Sequence, residues 1–154
     1  MNAEQAMRAI LIDTNVLLYA YDPNDLARSE RAQNVLRHLE ESNMGRVSVQ
    51  CLAEFFSIAT RKLKPPLSSA EALTQIELLA RSYPVLDLTL GVILEAARGV
   101  RDYQLAYYDA QLWAMAKLNQ IPIIFSEDMP SALVLEGVGY VNPFAENFVL
   151  EEWA

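Results

Sequence analysis

The sequence predicts an α/β protein, a three-layer α/β/α sandwich around a central, mainly parallel sheet. Three observations predict it. Short apolar runs alternate with amphipathic helical stretches along the chain, the order that favours parallel strands covered by helices. The first run, Ala9-Ile10-Leu11-Ile12, is unbroken rather than alternating, as in a strand covered on both faces. The chain has 154 residues, 53% of them hydrophobic, which is one domain's length with ample material for a core.

Strands are expected over residues 8–13, 47–50, 85–88, 122–125 and 138–141. Residues 26–41 place Ala32, Val35, Leu36 and Leu39 on one helical stripe. Residues 52–62 read as a helix continuing from the second strand, stopped by Pro65-Pro66. Ser68-Ser69-Ala70-Glu71 supplies a capping box, Ser68 to Glu71, for a helix reaching about residue 83. Two further helices are expected over 89–100 and 105–119. No repeat or low-complexity tract marks a second domain. The expected organisation is an N-terminal tail over residues 1–7, one domain over 8–145, and a C-terminal tail over 146–154 docked through Phe148 and Trp153.

No apolar run reaches the roughly 18 residues a membrane span needs. The polar N-terminus carries Glu4 where a signal peptide would want basic residues. A cytoplasmic protein with no membrane partner is the expectation. Cys51 is the only cysteine, which excludes an intrachain disulfide and a cysteine zinc site; it reads as a small core residue. The lone His38, among polar helix residues, reads as a solvated surface side chain. The 12 Lys and Arg against 20 Asp and Glu give a net charge of −8. A protein that binds phosphates usually has a basic surplus, so action on nucleic acid here requires bound cations and a local basic patch.

Most of the acids, such as Glu40, Glu41, Glu71, Glu77, Glu151 and Glu152, read as solvated surface charge. Four sit elsewhere. Asp13 ends the first apolar strand, with Thr14 and Asn15 beside it. Open α/β sheets bind ligands beyond the carboxyl ends of their strands, but an Asp there also caps a following helix, and spacing leaves both readings open. Asp128 repeats the arrangement in Ser126-Glu127-Asp128 after Ile123-Ile124-Phe125, where a polar turn is the plain alternative. Asp109 opens the strongly apolar helix containing Leu112, Trp113, Ala114, Met115, Ala116 and Leu118; an acid near a helix N-terminus gains about 0.3–1 kcal/mol from the exposed amides. Glu54 lies between Cys51-Leu52-Ala53 and Phe55-Phe56, and a shielded Glu calls for a partner or a metal. Several carboxylates near one sheet end repel each other unless a cation intervenes. Oxygen donors without Cys or His favour Mg²⁺ or Mn²⁺, the chemistry of metal-assisted phosphodiester hydrolysis.

The segments Ile12-Asp13-Thr14-Asn15-Val16-Leu17, Glu54-Phe55, Tyr108-Asp109-Ala110 and Ser126-Glu127-Asp128-Met129 resemble, in order and spacing, the motifs of PIN-domain proteins. The likeness is nearest to the VapC-type toxins of bacterial toxin–antitoxin modules, and residues 136–144 resemble the end of that domain. The resemblance implies a PIN-like fold and an Mg²⁺- or Mn²⁺-dependent endoribonuclease that cuts RNA and is silenced by a cognate antitoxin. It assigns Asp13, Asp109 and Asp128 to metal binding, Glu54 to the metal or the attacking water, and Thr14, Asn15 and Ser126 to support of the site. Met129-Pro130 after the last Asp and the two tyrosines before Asp109 depart from the pattern; both bear on the groove more than on the chemistry.

On this reading three aspartates hold one or two divalent ions, and Glu54 orients or deprotonates the water. Basic candidates for the RNA path are Arg61, Lys62 and Lys64, with Arg98 and Arg101 second; ordinary solvated helix charge is the alternative for each. A second class of reading is a partner-binding module with little cleavage of its own, whose acidic surface suits a basic antitoxin tail and whose exposed aromatics support a homodimer. Two other acidic α/β enzymes fare poorly. A haloacid-dehalogenase-type phosphatase wants an Asp at position 15, which is Asn15, and a receiver domain wants paired acids before its strand-end Asp, where residues 1–12 offer only Glu4.

Overall fold

The structure, a computed structural model, describes residues 8–130 and 132–153. Among these residues six strands form one sheet in the order β3-β2-β1-β4-β6-β5. They are β1 (Ile10–Ile12), β2 (Gly45–Ser48), β3 (Val85–Leu86), β4 (Ile123–Phe125), β5 (Val134–Leu135) and β6 (Val138–Val141). All pairings are parallel except β5 with β6. Among the described residues six α-helices accompany them: α1 (Thr14–Tyr19), α2 (Leu26–Glu41), α3 (Val49–Ala59), α4 (Ser69–Ser82), α5 (Leu90–Tyr103) and α6 (Tyr107–Leu118). β1 is buried along its whole length, as its unbroken apolar sequence requires.

The order of the strands positions the site. From β1 the chain moves outward through β2 to β3, then returns past β1 to lay down β4 on its other side. Because parallel crossovers are right-handed, the connections in the two directions fall on opposite faces. Accordingly α1 packs on α2 and α3, and α3 on α4, while α5 and α6 pack on each other. Strand order therefore reverses between β1 and β4, and a crevice opens beyond their carboxyl ends.

Local signals set several boundaries. Ser68 caps α4, with Glu71 returning the bond to complete the capping box. Helix α2 ends with Asn43 in the left-handed region and Met44 N–H bonding back to Leu39, and α6 ends in the same way at Gln120 and Ile121. Such six-to-one closures satisfy the last helical carbonyls and turn the chain into the next strand.

The strand expected over 47–50 is corrected. It runs Gly45–Ser48, and Val49 and Gln50 open α3. The Ser48 hydroxyl caps that helix by accepting from Cys51 N–H, and the cap outweighs the alternation of Val47-Ser48-Val49-Gln50. Helix α3 accordingly ends at Ala59, not near residue 62. The antiparallel β5 was not expected; its turn to β6 is a two-residue hairpin through Glu136 (φ 49°) and Gly137 (φ 86°), the mirror-image turn that matches strand twist. His38 is half-buried instead of solvated, and its Nε2 has no hydrogen-bond partner among the described residues. Residues 1–7 lie outside the described residues. At the other end, Phe148 and Trp153 meet Phe125 edge-on at 5.6 and 5.3 Å.

Trp113 on α6 is fully buried and donates its indole N–H to Leu135 O at 3.1 Å. A methyl group added to Gly99 on α5 would lie 2.8 Å from its ring. Gly99→Ala is therefore expected to cost about 1–2 kcal/mol, overpacking strain of roughly 1–3 kcal/mol less the helix-propensity gain of up to about 1 kcal/mol. Urea denaturation measures it, and an unchanged midpoint would show that Trp113 moves freely.

Candidate active site

Asp13 and Ser126 meet in the crevice because the β1–β4 and β4–β6 ladders each run one residue beyond the strands. Asp13 N–H donates to Phe125 O at 3.0 Å and Ser126 N–H to Val141 O at 3.0 Å. Asp13 is the N-cap of α1; one carboxylate oxygen accepts from Thr14 N–H at 2.7 Å and the other from the buried Ser126 hydroxyl at 2.7 Å. Capping and lining the crevice are thus one placement, and the two readings of Asp13 do not compete.

Asn15, on the first turn of α1, ties the β4 turn to the same point. Its amide N–H₂ donates to Asp128 at 3.0 Å, and its carbonyl accepts from Glu127 N–H at 3.4 Å. Glu127 is held from outside by the Tyr19 hydroxyl and by Arg28 Nε, both at 2.8 Å. The turn that carries Asp128 is therefore anchored to α1 and α2, although Asp128 itself is exposed.

Glu54 projects from α3. Thr14 Oγ1 donates to one of its oxygens at 3.0 Å and Gln50 Nε2 to the other at 2.9 Å. Gln50, one helical turn earlier on the same face, also donates to Tyr108 O at 3.2 Å and accepts from Gln111 Nε2 at 2.7 Å. Glu54 is thereby locked to α1 on one side and to α6 on the other. Asp109 lies in the first turn of α6, whose N-cap Ala106 offers no side-chain cap.

All four acids line one cavity of about 220 Å³, together with Thr14, Asn15, Leu18, Gln50, Ile58, Tyr108 and Leu112. No Lys, Arg or His is among these lining residues. Three larger cavities, of about 350 Å³ beside β6, about 270 Å³ at the β5–β6 turn and about 590 Å³ between α2 and α4, each carry a single carboxylate. Among the described residues no three acidic, His or Cys side chains already close on a single point as a finished metal cage.

The electrostatics record the crowding. Burial chiefly pushes the Asp13 carboxyl up to about 6, the Ser126 and Thr14 hydrogen bonds oppose it, and the charges of Asp128 and Glu54 add to it. Asp109 is also raised, by burial first and then by Asp128 and Glu54. The pocket thus holds surplus negative charge without a positive side chain lining it. Its all-oxygen donor set suits a hard divalent cation, so the residues fit Mg²⁺ or Mn²⁺. Beneath the site, burial and then the charges of Asp109 and Asp13 raise the pKa of Tyr140, whose buried hydroxyl has no hydrogen-bond partner among the described residues. Cys51 is fully buried and its thiol is pushed up to about 12, mainly by burial, which rules it out as a nucleophile at neutral pH.

The basic candidates lie outside this cavity. Arg61, Lys62 and Lys64 are exposed beyond the end of α3, and Arg61 donates to Ser57 O and Oγ at 3.0 and 2.7 Å. Arg98 and Arg101 also lie outside it, in ion pairs with acids of the chain itself. Arg98 is engaged by Glu95, Asp102 and Glu136, and Arg101 by Asp102. Gln50 and Gln111 carry no signal in the sequence: a glutamine bears no charge, and the alternation around Gln50 reads as a strand.

The comparisons bear on the fold and the family. Among curated proteins none matches the sequence. A toxin–antitoxin complex from Klebsiella pneumoniae contains a similar fold, with a TM-score of 0.64 and 15% identity over 88% of this chain and 98% of that one. VapC20 of Mycobacterium tuberculosis, a toxin that cleaves the sarcin–ricin loop, superposes with a TM-score of 0.62 and 17% identity over 78% of this chain and 90% of that one. At these identities the likeness concerns the fold. The family model of the PIN domain matches residues 10–129, from the first strand to the turn carrying Asp128, and the chain belongs to the PIN-domain family.

Proposed function

We propose that the protein is an Mg²⁺- or Mn²⁺-dependent endoribonuclease, the toxin component of a type II toxin–antitoxin module acting in the cytoplasm. The supporting observation is the convergence of Asp13, Glu54, Asp109 and Asp128 on one cavity that no cationic side chain lines. Asp13, Asp109 and Asp128 would hold the metal. When bound, it lowers the pKa of water and offsets the charge that builds on the phosphate oxygens. Glu54, fixed by Thr14 and Gln50, orients the attacking water and accepts its proton. Ser126 and Asn15 hold Asp13 and Asp128 in place. Arg61, Lys62 and Lys64, beyond the α3 residues Glu54 and Ile58 that line the cavity, offer a basic approach for RNA.

Purified protein incubated with single-stranded RNA should cut it in Mg²⁺ and leave it intact in EDTA; RNA that survives Mg²⁺ rejects the enzymatic reading. Gln50→Ala should lower cleavage by about 10–100-fold, the usual cost of removing an outer support of such a site. Gel assays of initial rate measure this, and an undiminished rate would show that Thr14 alone orients Glu54.

The net charge of −8 favours a basic antitoxin segment as the silencing partner. We also propose a homodimer, on the exposed Leu90, Ile93 and Leu94 of α5 and the neighbouring Leu118, an apolar stripe of the kind that marks an interface. Light scattering distinguishes it from a monomer.

A further inference from the structure

We propose that the exposed ring of Tyr108 is a stacking platform for an unpaired base beside the phosphate being cut. The proposal rests on the nuclease reading above and adds to it a residue that positions the substrate.

Tyr108 is 66% exposed, yet it lines the same cavity as the four carboxylates. A large ring left in water at the lip of a polar pocket forgoes the burial that normally stabilises it. The ring is nevertheless held. Tyr107 meets it edge-on with centroids 5.3 Å apart and planes at 74°. The Tyr108 carbonyl accepts from Gln50, the same amide that grips Glu54. The platform is therefore tied to the group that orients the attacking water.

Charge supplies the second argument. Proteins usually hold nucleic acid by neutralising phosphates with Lys and Arg. Here none lines the cavity: Arg61, Lys62 and Lys64 lie beyond the end of α3, and Arg28, Arg98, Arg101 and Lys117 are engaged in ion pairs with the chain's own acids, so the bases beside the cut phosphate need another hold. Stacking on an aromatic face needs no positive charge and tolerates every base. A base inside a helix has both faces covered, so only a splayed or unpaired one can use the ring.

Michaelis kinetics on a labelled single-stranded RNA in Mg²⁺ test this. Tyr108→Ala should raise KM by about five- to 150-fold, the worth of one stacked base, with kcat little changed. Tyr108→Phe should behave as wild type. A KM indifferent to Tyr108→Ala overturns the proposal, including the case in which the ring proves to contact a protein partner. So does a Tyr108→Phe defect equal to that of Ala, which would assign the effect to the hydroxyl. A melting curve checks folding. Should Ala disturb it, an abasic site walked along the RNA must raise the wild-type KM at one position, and no sensitive position overturns the proposal. Fluorescence anisotropy separates the two readings. RNA bound through Tyr108 but never cleaved sinks the nuclease and spares the platform, cleavage indifferent to Tyr108 does the reverse, and no binding sinks both.

Discussion

Asp13→Asn is expected to abolish cleavage while making the metal-free protein as stable as wild type or more so. The loss in rate should reach about a thousandfold or more, because a metal contributes several kcal/mol of charge stabilisation at the transition state. The gain in stability follows from burial. The Asp13 carboxyl stands at about 6 against an ordinary 3.8, so folding disfavours its ionised form. Such a group contributes stability that is present below the unfolded value and is lost as pH rises through the folded one. At pH 7 and above the ionised Asp13 is therefore a liability of up to about 3 kcal/mol, which Asn removes. Asn still accepts from Thr14 N–H and caps as well as Asp. The difference between variant and wild type should shrink as pH falls from about 6 to below 4. Paired thermal melts in EDTA across this range measure it. A markedly lower melting temperature for Asp13→Asn at pH 7 would leave the residue as a helix cap and remove the electrostatic case for the site.

Mg²⁺ should raise the melting temperature of the wild type and do far less for Asp13→Asn or Asp109→Asn. At a hundredfold excess over its dissociation constant a ligand of the folded state adds about 2.7 kcal/mol, roughly 5–10 °C for a domain of this size. The effect should also grow with pH, because the raised carboxyls of Asp13 and Asp109 must lose their protons to bind. Calorimetric scans with and without the ion decide it. Equal shifts in all three proteins would place Mg²⁺ elsewhere.

The features legible in the sequence are those in which neighbours in the chain decide the outcome. The unbroken run Ile10–Ile12, the capping box of α4 and the stripe of α2 emerged near their expected places. So did the acids at the ends of β1 and β4. Local pattern failed where two local signals competed. Val47-Ser48-Val49-Gln50 alternates like a strand, but the Ser48 cap claims Val49 and Gln50 for α3. That shift brings Gln50 onto the face of Glu54.

By itself the sequence determined the α/β alternation and which acids stand at strand and helix ends, because periodicity and capping act within a few residues. Only the tertiary structure decided that they share one cavity. The bonds that assemble it span 113 residues from Asp13 to Ser126, 40 from Thr14 to Glu54 and 61 from Gln50 to Gln111. The same structure committed Arg98 to Glu136, 38 residues away. Pairings at such separations are set by the reversal of strand order beside β1 and by which side chains lose water together, and local pattern carries no record of either.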